Sequence, residues 1–179
     1  MRKKVVKLPR NILALLKKHN QGIKLDVGCG ENKQENFVGL DIRALDGVDI
    51  VHDVETVPYP LPDECCHTIL ASHLIEHICP KKIMGVMNEW WRLMKVGGQL
   101  WLGFPYGNSF GYVQDPSHCC ALNEASIAYF DPTAQPNREL FNVYKPRPWK
   151  TVKNVHNFGG NMEVILEKMK EVPRVEETN

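Results

Sequence analysis

The sequence predicts one α/β domain, a layered sandwich on a mostly parallel, seven-stranded sheet with an antiparallel strand at 162–167. Short apolar runs alternate with helix-period segments along the chain, and a Gly-x-Gly turn follows the first run directly. A Gly-Gly pair then precedes a further apolar run. At 179 residues the chain suits a single domain with a core that needs no staples. It carries no internal repeat and no low-complexity tract.

Residues 9–19 read as a helix with Leu8, Ile12, Leu15 and Leu16 on one face, ended by Gly22. Residues 23–27 form a short apolar strand that enters the turn Gly28-Cys29-Gly30. Second and third strands are expected at 37–42 and 49–54. Pro58, Pro60 and Pro62 mark an extended loop, because proline fixes φ and cannot donate to a ladder. Residues 67–72 have the pattern of a buried strand. The next helix starts near Pro80, runs through Trp90 to Met94 and ends at Gly97-Gly98. A strand at 99–104 leads into a loop-rich stretch, 106–136, with a short helix at 123–130. Strands at 140–144 and 162–167 complete the reading.

A net charge of +1 gives no reason to expect a polyanionic partner. Arg2, Lys3, Lys4, Lys7, Arg10, Lys17 and Lys18 fit a solvated helix face better than a nucleic-acid arm. No run is apolar for long enough to cross a membrane, and 12–16 is too short for a signal peptide, so a cytoplasmic protein is expected. Cys29, Cys65, Cys66, Cys79, Cys119 and Cys120 include two adjacent pairs and no CxxC spacing. Adjacent cysteines strain the peptide if bridged, so all six are expected as free thiols.

The segment Leu25 to Glu31, LDVGCGE, is the most informative. A strand ending in Gly-x-Gly lets the backbone turn sharply and meet a ligand with no β-carbon in the way. Asp41 ends the second strand, where an acidic side chain can accept from ribose hydroxyls. Lys33 stands where a dinucleotide fingerprint needs its third glycine, and Gly30 to Phe37 is too short for a full crossover helix. A pyrophosphate would lack its helix N-terminus. Asp26 and Glu31 make the turn acidic, which suits a cationic sulfonium better than NAD.

These residues resemble the type 11 group of class I, Rossmann-like methyltransferases, over roughly half the chain from Ile23 to Phe104. LDVGCG looks like motif I and VGLDI like the ribose strand. HDVETVPYPLPDE resembles the loop beside adenine, HTILASHLIEHI the fourth strand with its Glu-His pair, and LMKVGGQLWLGFP the fifth strand. The resemblance implies an enzyme that uses S-adenosyl-L-methionine and releases S-adenosyl-L-homocysteine. It implies cofactor contacts from Asp26, Gly28, Cys29, Gly30, Asp41, Ile42, Asp53, Val54, Ser72 and His73. Asp41 would hold the ribose, Asp53 the adenine amino group, and Ser72 and His73 the methionine end. Asp53 as a strand-end cap and Ser72 as a plain strand end are the structural alternatives. Departures are His67, where the family opens its fourth strand with aspartate, Asn32 for a third motif-I glycine, and an abbreviated first crossover. The parts then read as an N-terminal helix (1–20), a cofactor-binding core (23–105), a substrate-side insertion (106–139) and C-terminal strands (140–170).

His73-Leu74-Ile75-Glu76-His77 also matches H-x-x-E-H, a zinc-peptidase signature. The segment follows a buried strand at once and no third ligand stands out, so no metal is expected and a zinc hydrolase is a remote alternative. Open α/β sheets bind ligands beyond the carboxyl ends of their strands, which places acceptor contacts after the fifth strand. There His118 is the candidate general base, with Asp115 to orient it and Tyr106 near the methyl group; His118 ordering its loop is the competing reading. Cys119 and Cys120 beside His118 fit core packing better than chelation. No D/N-P-P-Y/F tetrapeptide and no Pro-Cys nucleophile pair is present, which disfavours DNA bases as acceptors. Trp90 and Trp91 read as packing residues. A small-molecule O or N acceptor is expected. The rival reading is a catalytically silent protein of the same fold that binds S-adenosylmethionine or S-adenosylhomocysteine.

Overall fold

Strands buried on both faces read as continuous apolar runs, and β1 (Ile23–Val27) and β2 (Val38–Asp41) are buried at all but one position. The computed structural model describes residues 9–19, 21–134 and 138–170. β3 (Ile50–Val51), β4 (Cys66–Ser72), β5 (Met94–Pro105), β6 (Trp149–His156) and β7 (Asn161–Lys168) complete one sheet of order β3-β2-β1-β4-β5-β7-β6. β1 to β5 pair in parallel, and β7 runs antiparallel to both β5 and β6. The sheet is mostly parallel and seven-stranded with an antiparallel strand near 162–167, as expected, although one of its members is not the strand expected.

Helices α1 (Arg10–Lys18), α2 (Ile83–Leu93), α3 (Phe110–Val113), α4 (Glu124–Ala128) and α5 (Arg138–Tyr144) join a 3₁₀ turn at Ile75–His77. α2 buries Val86, Met87, Trp90 and Leu93, one stripe at helical spacing, into the core with Leu25, Ile69 and Leu100. Asn123 caps α4 by accepting from the Ser126 N–H, and the Ser126 hydroxyl accepts from the Asn123 N–H in return. No helix among the described residues is long and apolar enough to cross a membrane.

Four expectations need correction. Residues 140–144 are not a strand but most of α5, with Leu140, Val143 and Tyr144 exposed and Lys145 at φ 51° closing it. A strand was not expected at Trp149–His156, where only Trp149 is buried; it is an edge strand with a polar face. The third strand shrinks to Ile50–Val51. α2 begins at Ile83 and ends at Leu93, so Gly97-Gly98 lie inside β5, where the register to β4 shifts and Gly97 takes φ 77°. No helix joins β1 to β2, as the short connection requires. Leu8, Arg2, Lys3, Lys4 and Lys7 lie outside the described residues. The six cysteines are free.

The proline loop is held from behind. Glu89, buried on α2, accepts from the Tyr59 N–H at 2.7 Å and from both ends of the Arg92 guanidinium. Arg92 also donates to the Leu61 carbonyl and to Asp63. Trp90 donates from Nε1 to the Tyr59 hydroxyl, and Trp91 from Nε1 to the Pro148 carbonyl, so both indoles serve packing.

Candidate functional site

Two cavities open beyond the carboxyl ends of the parallel strands. The smaller, about 260 Å³, is lined by Gly28, Asp41, Ile42, Asp53, Val54 and Leu74, together with Leu40, His52, Glu55, His77 and Ile78. The larger, about 680 Å³, lies between the turn after β4, the segment from Ser109 to His118 and the β6–β7 turn at Phe158 to Asn161. His77 lines both.

The glycine turn is shaped by its neighbours. Gly28 sits at φ 70°, and a β-carbon there would lie 2.8 Å from Leu74 Cδ1. Gly30, at φ 54°, donates its N–H to Asp41 Oδ2 at 2.9 Å. Asp41 Oδ1 accepts from the Arg43 N–H and Nε. Burial pushes the Asp41 carboxyl up, and the bonds from Arg43 and Gly30 outweigh it, holding the group below the usual aspartate range. Asp26 accepts from the Gln34 N–H at 2.8 Å, yet its burial dominates and raises it. Burial, then the nearby Asp26 and Asp41 charges, push the Cys29 thiol up to about 11, so it is protonated at neutral pH.

These signs predict an acid profile. A carboxylate lowered by folding contributes stability above its unfolded value and loses it as pH falls through the folded one. Asp41 acts in that direction and Asp26 in the opposite one. Below about pH 4 the melting temperature is expected to fall, and less steeply in Asp41→Asn. Equal slopes in a melting series across that range would remove Asp41 as a source.

Asp53 Oδ1 accepts from the Glu55 N–H and Oδ2 from the Thr56 hydroxyl, so the residue caps its turn while facing the smaller cavity. In the larger cavity His118 Nδ1 lies 2.8 Å from the Tyr112 carbonyl, which must receive a proton from it. That bond fixes the neutral tautomer with its lone pair on Nε2, 3.7 Å from Asp115 Oδ2. Asp115 accepts from the Ser117 N–H and hydroxyl, and these bonds lower its carboxyl. Glu76 is 1% exposed, with both carboxylate oxygens lacking a hydrogen bond and His73 Nδ1 at 3.3 Å from Oε1.

No protein-family model matches the sequence, and no curated protein matches it. Solved structures do. An S-adenosylmethionine-dependent methyltransferase from Archaeoglobus fulgidus aligns with TM-score 0.58 at 16% identity, over 87% of this chain and 92% of that one. The antibiotic-resistance methyltransferase Kmr aligns at 0.57 and 14% identity, over 94% and 98%. The 16S rRNA (adenine(1408)-N(1))-methyltransferase from Catenulisporales acidiphilia, a structure with its cosubstrate S-adenosylmethionine, aligns at 0.56 and 12%, over 95% and 96%. This is the methyltransferase fold.

Within the methyltransferase fold, five residues expected at the cofactor, Gly28, Asp41, Ile42, Asp53 and Val54, meet in the smaller cavity. Asp26, Cys29 and Gly30 instead build the turn behind it, and Ser72 lines neither cavity. His73, Asp115 and His118 meet in the larger cavity. Tyr106 lines neither cavity; its ring stacks on His156 at 4.5 Å and its N–H donates to the Gly160 carbonyl. The sequence reading did not single out Leu74 and Ile78, which line the smaller cavity, or Phe110 and Phe158, which line the larger one. The first two were legible as the apolar residues around the Glu-His pair. The H-x-x-E-H segment forms no helix: His73 stands at φ 51°, ahead of the single 3₁₀ turn. The two-histidine helix face a zinc peptidase needs is therefore missing.

Proposed function

We propose that the chain is an S-adenosylmethionine-dependent methyltransferase acting on a small-molecule O or N acceptor. The observation that carries this reading is the smaller cavity, where the Asp41 and Asp53 carboxylates flank apolar Ile42, Val54, Leu74 and Ile78. Carboxylates accept from ribose hydroxyls and from an adenine amine, while the apolar walls cover a purine face. A cationic sulfonium adds no phosphate, and the turn offers none of the helix N-terminus a pyrophosphate would use.

The acceptor would occupy the larger cavity, whose 680 Å³ suits a small ligand. Phe110 and Phe158 on its rim are 82% and 114% exposed, apolar surface that a bound acceptor would cover. Methyl transfer is an in-line displacement that depends chiefly on holding the two reactants at attack distance. The His118 Nε2 lone pair can take a proton from the acceptor, and it can equally hold a cation.

Calorimetric titration is expected to give one site for S-adenosylmethionine and for S-adenosylhomocysteine, and no heat with NAD. Absence of binding by both sulfur ligands would end this reading. Binding without methyl transfer across a broad panel of hydroxyl and amine acceptors would favour the silent binding protein.

A further inference from the structure

We propose that Glu76, His77 and His118 form a divalent metal site at the junction of the two cavities, open to an oxygen donor of the acceptor. One ligand atom from each of the three lies within 4.8 Å of the other two. Donors around one tetrahedral ion at ordinary bond lengths stand about 3.4 Å apart, so closure asks for a shift of roughly an ångström. One carboxylate with two imidazoles is a donor set for borderline ions such as zinc, manganese, cobalt or iron.

A second observation points at an ion rather than at packing. Glu76 is buried to 1% exposure, and neither carboxylate oxygen has a hydrogen-bond partner, an expensive state for an anion. The His73 imidazole approaches it, with Nδ1 3.3 Å from Oε1 but no hydrogen bond formed. The neighbouring histidines are prepared for coordination. His118 Nδ1 is spent on the Tyr112 carbonyl, and His77 Nδ1 lies 3.2 Å from the Ser117 hydroxyl, which turns the Nε2 atoms to coordination, that of His118 lying 3.7 Å from Asp115 Oδ2. The two rings meet edge to face at 4.7 Å. Cys119 is not a ligand, since its thiol turns to the His77 and Ile78 carbonyls.

His77 belongs to both cavities, so an ion it holds sits where a methyl group would pass. This consequence rests on the methyltransferase reading; the metal site does not. Three protein ligands leave positions for a hydroxyl of the acceptor, whose proton the ion makes easier to lose. That proton leaves to water, the oxygen lone pair forms the bond to the sulfonium methyl carbon, and the carbon–sulfur bond breaks to give the thioether. His118 is then a ligand and not the base.

The test is direct metal binding by untagged protein stripped with a chelator, without cofactor. Free manganese is followed by its paramagnetic resonance signal, and cobalt by its visible absorption. One equivalent is expected to bind, with affinity lowered at least tenfold in His118→Ala and in Glu76→Gln, and unchanged in His67→Ala. In metal-free protein Glu76→Gln is expected to raise the melting temperature, because a neutral side chain of the same shape replaces a buried carboxyl group that accepts no hydrogen bond. No stoichiometric binding by wild type, or binding by Glu76→Gln and His118→Ala as tight as by wild type, overturns the site. Should Glu76→Gln fold poorly, the His118→Ala titration alone decides. Metal binding without S-adenosylmethionine binding would retain the site and remove the proposed function; the reverse result would do the opposite.

Discussion

Asp41→Ala is expected to weaken S-adenosylmethionine binding by roughly ten- to a hundredfold, the worth of charge-assisted hydrogen bonds to a carboxylate. Two effects combine. The variant loses the acceptor proposed for the ribose, and it releases the Gly30 N–H and Arg43 from the bonds that shape the glycine turn. Asp41→Asn separates them. It preserves the side-chain shape but offers one oxygen where three protein donors now converge on two. If binding falls in the alanine variant while the structure of the turn is kept, direct contact dominates. If both variants bind like wild type, as read by calorimetry, the ribose assignment is wrong.

The second large effect lies away from both cavities. Glu89→Ala is expected to destabilise the fold by about 3 kcal/mol, because it removes a buried carboxylate that pairs with half-buried Arg92 and strands the Tyr59 N–H. In a chain of this size that is a drop of roughly 6–12 °C in melting temperature. The proline loop would lose its tether to α2, and His52, Asp53 and Val54 on the cavity wall would lose their support from behind. Cofactor affinity should therefore fall as well, by less than in Asp41→Ala. A melting temperature within a degree or two of wild type would show that the clamp holds nothing.

That Gly28, Asp41 and Asp53 line one cavity was legible because they lie at or just beyond strand ends, where local sequence fixes backbone geometry. The strands flanking them are apolar runs bounded by glycine, a pattern that survives folding. Residues 140–144 misled because Leu-Phe-Asn-Val-Tyr has strand-like composition without alternation. β6 was hidden for the opposite reason: Lys150, Lys153 and His156 face solvent on an edge strand, so burial leaves no apolar period. The grouping of Glu76 and His77 with His118 could not be read at all. More than forty positions separate the pair from His118, and only the path of the chain after β5 brings them together. Ser72 and Tyr106 show the same limit, since adjacency to a strand end does not decide which way a side chain faces.

The walls of the larger cavity have an uneven origin. The strand ends and the turn after β4 supply one side, whereas the segment around α3 and the β6–β7 turn supply the other. The second group hangs outside the sheet, so its residues can be exchanged without disturbing the register that holds β1, β2 and β4. Under the proposed function, changes on the outer side would alter the acceptor while leaving the walls of the smaller cavity as they are. For an engineer, the hairpin tip at Phe158 to Gly160 is the place to graft.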